Sequence, residues 1–147
     1  MNWKSLKFLG MSAGFLFIML TSCVAAVTPK FALTPTTVTS FKLRPSDTVI
    51  VRYRVTNNTN SARALTIVPV AGVTQIIGNA DACRRPFVLG KGHSCVLSLR
   101  ISGAQLTASG IHGGPTVCKT IGRGDSNPDP YLCSQPPSPN ILHVNPN

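Results

Sequence analysis

The stretch TVIVRYRVT, from Thr48 to Thr56, decides the fold class of this 147-residue chain. Its apolar residues Val49, Val51, Tyr53 and Val55 fall on every second position. Because successive side chains of a β-strand point to opposite faces, this alternation predicts one half-buried strand. The other face is mostly polar, so one side of this strand is expected against a core and the other in solvent.

A second strand with the same alternation follows later in the chain, where Cys95, Leu97, Leu99 and Ile101 share one face. Helix-forming residues at a spacing of 3.6 are missing from the body of the chain. Shorter runs of β-branched and apolar residues, separated by Gly, Pro, Asn and Ser, are expected as further strands. These runs lie at residues 37–43, 65–67, 73–77, 87–89, 116–118 and 141–144. Together they predict an all-β fold, an antiparallel β-sandwich of about seven strands in two packed sheets.

Turn residues suggest how neighbouring strands connect. The segment Asn57–Ser61 has the asparagine and serine content of a tight turn, which predicts a hairpin that returns through Leu65 and Ile67. Gly90 and Gly92, on both sides of Lys91, predict a turn before the strand that begins near Cys95.

The number and spacing of the cysteines indicate disulfides and therefore an oxidising compartment outside the cytoplasm. One of the five, Cys23, lies in the hydrophobic leader, and the other four are Cys83, Cys95, Cys118 and Cys133. Four body cysteines fit two disulfides, and pairing within each local pair closes loops of about 13 and 16 residues, each contributing about 3 kcal/mol. A regular hairpin around Lys91 would not bring Cys83 opposite Cys95, so the first pairing requires a bend before the hairpin. Four cysteines permit three connectivities, and the sequence leaves that choice open.

The first residues have the composition of an export signal. Lys4 and Lys7 precede the largely apolar run Phe8–Leu20, which is too short to span a bilayer as a helix. Small residues follow this run, so residues 1–26 are predicted to be a signal peptide and residues 27–147 the β-sandwich domain. The expected location is therefore exported: the periplasm, the outer membrane surface or the medium.

Two ways of processing this signal remain open. Leu20-Thr21-Ser22-Cys23 resembles a bacterial lipobox, in which residues 1–22 are removed and Cys23 carries the lipid. Val24-Ala25-Ala26 resembles an ordinary signal-peptidase site with the cut before Val27. The first alternative gives a membrane contact only through the lipid on Cys23, and the second gives a free protein.

Several short motifs occur in a fixed order along the chain: Thr34-Pro35-Thr36, Val55-Thr56-Asn57-Asn58-Thr59, Phe87-Val88-Leu89, Ser94-Cys95-Val96-Leu97, Gly113-Gly114-Pro115-Thr116-Val117-Cys118 and Tyr131-Leu132-Cys133. In this order they resemble a group of small exported proteins of intracellular gamma-proteobacteria, which are similar to bacterial immunoglobulin-like domains. The resemblance covers nearly all of the chain after the signal. It implies an immunoglobulin-like β-sandwich for residues 27–147 rather than an activity.

Catalysis, cofactors and metal binding find little support in the residue content. The chain has four acidic residues, all aspartates in turn-like contexts, where such side chains usually bond the local backbone. His93, His112 and His143 lack the short spacings of zinc motifs, and disulfides account for the body cysteines. A Gly-x-Ser-x-Gly nucleophile turn is missing as well. We expect a non-enzyme with no catalytic residues, no cofactor and no metal site.

The charge points to a binding role. After removal of Lys4 and Lys7 with the signal, twelve Lys and Arg face four Asp, a net charge of +8. The basic residues are spread along the chain and have few aromatic neighbours, whereas sites for single-stranded nucleic acid combine both. Nucleic acid is therefore not an expected partner. An unknown protein or an anionic component of the envelope is the expected one.

Two more specific functions remain as alternatives. Arg123-Gly124-Asp125 resembles the short adhesive signal that integrin-type receptors bind, and it lies inside the Cys118–Cys133 loop, which suggests a host-cell adhesin. Gly-Asp is also ordinary turn chemistry. A periplasmic chaperone-like assembly factor is the other alternative, because such chaperones use the same sandwich, although the familiar ones have a second domain that this length does not supply.

Overall fold

A computed structural model describes residues 27–122 and 124–147 of the chain. The predicted signal peptide, ending at residue 22 or 26, lies outside the described residues, together with the candidate lipidation residue Cys23. The described part is all-β, with strands in three sheets and two short 3-10 turns at Gly103–Gln105 and Ser138–Asn140. The strands are β1 (Phe31–Pro35), β2 (Ser40–Leu43), β3 (Thr48–Asn57), β4 (Arg63–Ile67), β5 (Val73–Ile76), β6 (Phe87–Leu89), β7 (Ser94–Ser102), β8 (Ile111–His112), β9 (Val117–Thr120), β10 (Pro128–Ser134) and β11 (His143–Pro146).

The two strongly alternating segments form the centre of the first sheet. This sheet has the order β1-β3-β7-β5, and every neighbouring pair in it is antiparallel. Tyr53 of β3 lies opposite Leu97 of β7, and both side chains are fully buried. Arg52 and Arg54, between the buried positions of β3, are exposed. The strand and the buried face predicted from TVIVRYRVT are therefore confirmed.

Two further sheets complete the architecture. The second sheet is antiparallel, with the order β10-β9-β4-β6. The third has the order β2-β11-β8, in which β11 runs antiparallel to β8 and parallel to β2. Buried side chains from all three sheets form one hydrophobic cluster, so burial of apolar surface holds the sheets together. Its members include Phe31, Leu43, Val51, Tyr53, Leu65, Phe87, Leu97, Leu99, Ile111, Val117, Leu142 and Val144.

The hairpin predicted after β3 is wrong, because β4 pairs with β6 and β9 rather than with β3. The reason is a buried asparagine at the end of β3. Asn57 is fully buried, and its Nδ2 donates to the carbonyls of Ser61 and Leu89, each at 2.9 Å. Its Oδ1 accepts the backbone N–H of Thr59, also at 2.9 Å. This side chain therefore directs the chain from the first sheet into the second.

A regular hairpin does not form around Lys91, and the chain bends before it, as the Cys83–Cys95 pairing requires. The edge of β7 is occupied near its start by the segment that precedes β6, where Ala82 forms a parallel bridge with Val96. The Cys83–Cys95 disulfide fastens the same two segments, with the Cα atoms 5.1 Å apart. The segment Phe87–Leu89 is consequently free to leave β7 and joins β4 in the second sheet.

The chain has eleven described strands, rather than about seven. Each of the eight segments predicted from alternation or short apolar runs contains a strand, and β1, β8 and β10 come in addition. The strand β10 was not predicted, because Pro128 and Pro130 interrupt its apolar pattern. Proline is tolerated in an edge strand because one side of such a strand needs no N–H donors, and β10 is the edge of its sheet. β8 is only two residues long.

The second disulfide joins Cys118 of β9 to Cys133 of β10, which lie directly opposite each other with their Cα atoms 4.0 Å apart. The two disulfides expected from the cysteine count are thus present, each within a local pair. They are compatible with an oxidising, exported location. Within residues 27–122 and 124–147, no helix is long and apolar enough to cross a membrane.

Candidate binding surface

The Gly124-Asp125 dipeptide lies in the turn that connects β9 and β10. Gly124 has a φ of 76°, a left-handed conformation that glycine adopts without strain. The carboxylate of Asp125 accepts the backbone N–H of Asn127 at 2.9 Å, so it shapes the turn. Arg123, the first residue of the candidate adhesive tripeptide, lies outside the described residues. The predicted turn chemistry is therefore present at the tip of a hairpin that the Cys118–Cys133 disulfide closes.

A groove of about 470 Å³ adjoins this turn. Its most conspicuous side chains are apolar: Val88 is 70% exposed and Ile121 is 63% exposed. Scattered apolar residues are normal on a surface, but two exposed ones along one groove form a patch that a partner can cover. The remaining lining residues come from β4, β9 and the turn; they are Ala62, Arg63, Ala64, Lys119, Thr120, Gly122 and Gly124.

Two cationic side chains give the groove its charge. Lys119 donates to the carbonyl of Thr120 at 3.2 Å and lies 3.9 Å from a carboxylate oxygen of Asp129. That ion pair is long and partly exposed, so it leaves Lys119 only weakly held. Arg63 has a buried Nε for which the described residues provide no hydrogen-bond partner. The groove therefore combines apolar area with two positive charges, a composition that complements an acidic surface carrying apolar side chains.

The groove also borders a free sheet edge. β6 is the last strand of the order β10-β9-β4-β6 and pairs only with β4. A strand at a sheet edge presents unpaired backbone groups that an incoming extended segment can bond. Val88 lies in the middle of β6, between the buried Phe87 and Leu89. Backbone donors and acceptors, exposed apolar side chains and cations thus converge at one place.

Three of the four aspartates accept local hydrogen bonds. The Asp125 carboxylate accepts the backbone N–H of Asn127 at 2.9 Å, and that of Asp129, at the start of β10, accepts the backbone N–H of Tyr131 at 3.0 Å. The Asp47 carboxylate instead accepts the hydroxyl of Ser46 at 3.1 Å. The local backbone bonds expected from the sequence contexts are therefore present at Asp125 and Asp129.

Two of the three histidines come together, which their spacing in the sequence did not suggest. His112 of β8 and His143 of β11 lie directly opposite each other, with their Nδ1 atoms 3.1 Å apart. The structure does not bring His93 into this pair. The residues are 31 positions apart, and only the pairing of β8 with β11 juxtaposes them. Because β8 was too short to predict, the sequence offered no signal for this contact.

The buried tyrosine of β3 ties the first sheet to the end of the chain. The hydroxyl of Tyr53 donates to the carbonyl of Asn140, at 2.9 Å, in the second 3-10 turn. Burial raises the pKa of the Tyr53 phenol above its ordinary value. The neutral phenol is therefore strongly favoured in the folded chain, and this group serves the structure rather than proton transfer.

Comparisons of the chain with protein-family models, with curated proteins and with solved structures find no match. The surface described above therefore rests on its own geometry.

Proposed function

We propose that the protein is an exported immunoglobulin-like domain that acts without catalysis, by binding a protein or an anionic component in the cell envelope or outside the cell. The observation that carries this proposal is the groove beside the β9–β10 turn. There, Val88 on the edge strand β6 and Ile121 directly after the inner strand β9 are exposed, and Lys119 and Arg63 supply positive charge. A protein partner with an acidic, extended segment fits this combination best.

The immunoglobulin-like assignment is supported by the arrangement of the sheets. Two four-stranded antiparallel sheets contribute side chains to one core, and residues 84–86 carry the chain from the edge of β7 into the other sheet. Short strands with local disulfides suit a small exported domain, because cross-links add to the stability that a modest core provides.

Site-specific photo-crosslinking tests the binding proposal. A photoreactive phenylalanine analogue replaces Val88 or Ile121 in the protein expressed in its native cells, and Val38 provides the control position. Val38 is 73% exposed but does not line the groove. We expect a discrete cross-linked species from the two groove positions and none from Val38. Equal labelling from all three positions, or none from any, would contradict the proposal.

Salt dependence then distinguishes a charged interface from an apolar one. Exposed charges are screened over about 8 Å at physiological ionic strength, so an interface that uses Lys119 weakens as salt rises. Lys119→Gln is expected to lower the cross-linking yield and to flatten its dependence on salt. Lys42→Gln, on the distant strand β2, is the matched control. An equal effect of both substitutions would point to net charge rather than to the groove.

A host-cell adhesin is the second candidate, favoured by the position of Gly124-Asp125 at a disulfide-closed hairpin tip. Adhesion of integrin-bearing cells to the immobilised protein tests it. We expect Asp125→Glu to abolish adhesion and Asp81→Glu to leave it unchanged. Adhesion that survives Asp125→Glu would remove this candidate and leave the groove proposal untouched.

Export leaves the product either free or anchored through Cys23. The intact mass of the protein from membrane and soluble fractions separates these forms. A membrane-bound species that begins at Cys23 with added acyl mass would identify a lipoprotein, and a soluble species that begins at Val27 would identify a free factor.

A further inference from the structure

From the geometry of the paired histidines, we infer that His112 and His143 form an open binding site for a divalent transition-metal ion such as Zn²⁺ or Cu²⁺. The pair joins β8 to β11 in the third sheet, and both side chains are exposed to solvent. This inference is independent of the groove, which lies on the second sheet.

The hydrogen bonds of His112 fix which nitrogen is free to bind metal. Its Nε2 lies 2.6 Å from the carbonyl oxygen of Ser109. A carbonyl oxygen only accepts, so the proton is on Nε2, and the neutral ring keeps a lone pair on Nδ1. A histidine that ligates a metal typically donates its other ring N–H to a carbonyl or carboxylate in this way. Ser109 therefore already supplies the outer contact that a metal-binding His112 needs.

The separation of the two nitrogens suits one metal ion. The Nδ1 atoms are 3.1 Å apart, and the rings meet edge to face with centroids at 4.5 Å. With metal–nitrogen distances near 2.0–2.1 Å, two ligands at a right angle lie about 2.9 Å apart and two at a tetrahedral angle about 3.4 Å apart. The observed distance falls between these values. Because each Nδ1 lone pair must point at the metal rather than at the other ring, binding requires the two rings to rotate.

Metal binding changes the position of one proton, on the ring of His143. Without metal, Nδ1 of His112 accepts a hydrogen bond, so Nδ1 of neutral His143 is the donor. When metal binds, His143 loses its Nδ1 proton to solvent and gains one at Nε2, which leaves both rings neutral. Each Nδ1 lone pair then forms one bond to the metal, with no oxidation or reduction.

The site is open rather than structural. Among the residues that the structure describes, no group of three or more His, Cys, Asp or Glu side chains is placed to hold a metal. Two histidines therefore leave the remaining coordination positions to water or to a ligand from a partner. Nitrogen ligands suit copper and zinc, and the general order of divalent affinities places Cu²⁺ above Zn²⁺.

Calorimetric titration with Zn²⁺ tests the inference on the exported, disulfide-intact protein without a histidine tag. The variants are His112→Gln and His143→Gln, with His93→Gln as the matched control. We expect one Zn²⁺ per chain for the wild type and for His93→Gln, and an affinity lowered at least about tenfold in each of the other two variants. The Cu²⁺ complex of the wild type is expected to show hyperfine coupling to two nitrogens in its electron paramagnetic resonance spectrum.

A nitrogen-15 spectrum of the histidine rings keeps the test independent of folding defects in the variants. In the wild type, Zn²⁺ is expected to shift the Nδ1 resonances of His112 and His143 and leave those of His93 unchanged. A wild type that shows no Zn²⁺ binding in the millimolar range, or a loss of affinity in His93→Gln equal to that of the paired positions, would overturn the site.

Discussion

Residues 31–102 and residues 103–147 reach the same kind of structure by different means. The first part contains β3 and β7, strands of ten and nine residues whose alternating side chains face one core. The second part contains β8 to β11, which are two to seven residues long and are separated by connections that contain Gly and Pro. Long alternating strands specify their own register, since a slip of one residue would expose every buried side chain.

The second part depends instead on connections to its surroundings. β9 pairs with β4, β11 pairs with β2, and the Cys118–Cys133 disulfide clamps β9 to β10. The Tyr53 hydroxyl adds a bond to Asn140. The comparison teaches that a segment with the composition of a loop becomes a set of strands when enough of its backbone is paired with strands already in place.

Removing the central aromatic side chain would break both parts at once. The side chain of Tyr53, on β3, is fully buried in the shared core. Tyr53→Ala leaves a large cavity and is expected to lower the free energy of unfolding by about 4 kcal/mol, measured by urea denaturation. Because the core is shared, the spectroscopic signals of both parts are expected to disappear in a single transition. A loss below about 2 kcal/mol would indicate that the core relaxes around the cavity more than a close-packed interior does.

Removing the second disulfide would separate the two parts. The double substitution Cys118→Ala and Cys133→Ala opens a loop of 16 residues and is expected to cost about 3 kcal/mol. Hydrogen exchange is the measurement, since it resolves stability along the chain. We expect faster exchange in β9 and β10. In β3 and β7, protection is expected to fall only by as much as the free energy of global unfolding falls. Uniform acceleration in all four strands, beyond the global change, would contradict a local role for this cross-link.

A buried polar residue offers a sharper test within the first part. Asn57→Ala removes the donor to Ser61 and Leu89 and the acceptor for Thr59, and it leaves the buried carbonyl of Leu89 without this partner. We expect a loss of about 2–3 kcal/mol, since each unsatisfied buried group costs about 1–3 kcal/mol. Asn58→Ala, the exposed neighbour, is the control and is expected to cost less than about 1 kcal/mol. Equal costs would mean that Asn57 acts only as a turn residue.

The smallest expected effect comes from removing the hydrogen bond between the Tyr53 hydroxyl and the Asn140 carbonyl, which joins the two parts. Tyr53→Phe keeps the ring but removes the bond to the Asn140 carbonyl, which is expected to cost about 1 kcal/mol. A raised pKa in the folded state means that stability is fully present below the pKa of the unfolded chain, about 10, and falls as pH rises beyond it. Urea denaturation from pH 8 to 11 is therefore expected to show a steeper loss for the wild type than for Tyr53→Phe. Parallel curves would contradict the burial of this phenol.

The sequence predicted the strands in which buried and exposed residues alternate, and it predicted the number of disulfides. It failed on which sheet a strand joins, because that depends on single contacts such as those of Asn57, which looks like any turn asparagine. It did not predict β10, because Pro128 and Pro130 argue against a strand in general. They are tolerated here because β10 lies at the edge of its sheet.

The candidate sites divide in the same way. The turn at Gly124-Asp125 could be predicted from local composition. The groove beside Val88 could not, since it depends on the pairing of β6 with β4 and of β4 with β9. The contact between His112 and His143 depends on the pairing of β8 with β11, which no local pattern indicates.

The parallel pairing of β2 with β11 has a consequence for the order of assembly. Ser40 pairs with His143, and β2 has no other partner in its sheet. A chain synthesised from its amino end therefore holds β2 unpaired until nearly all of the remaining residues have been added. Contacts between such distant segments form late, because closing long loops is entropically costly. We expect the third sheet, with its two histidines, to be the last part of the molecule to form.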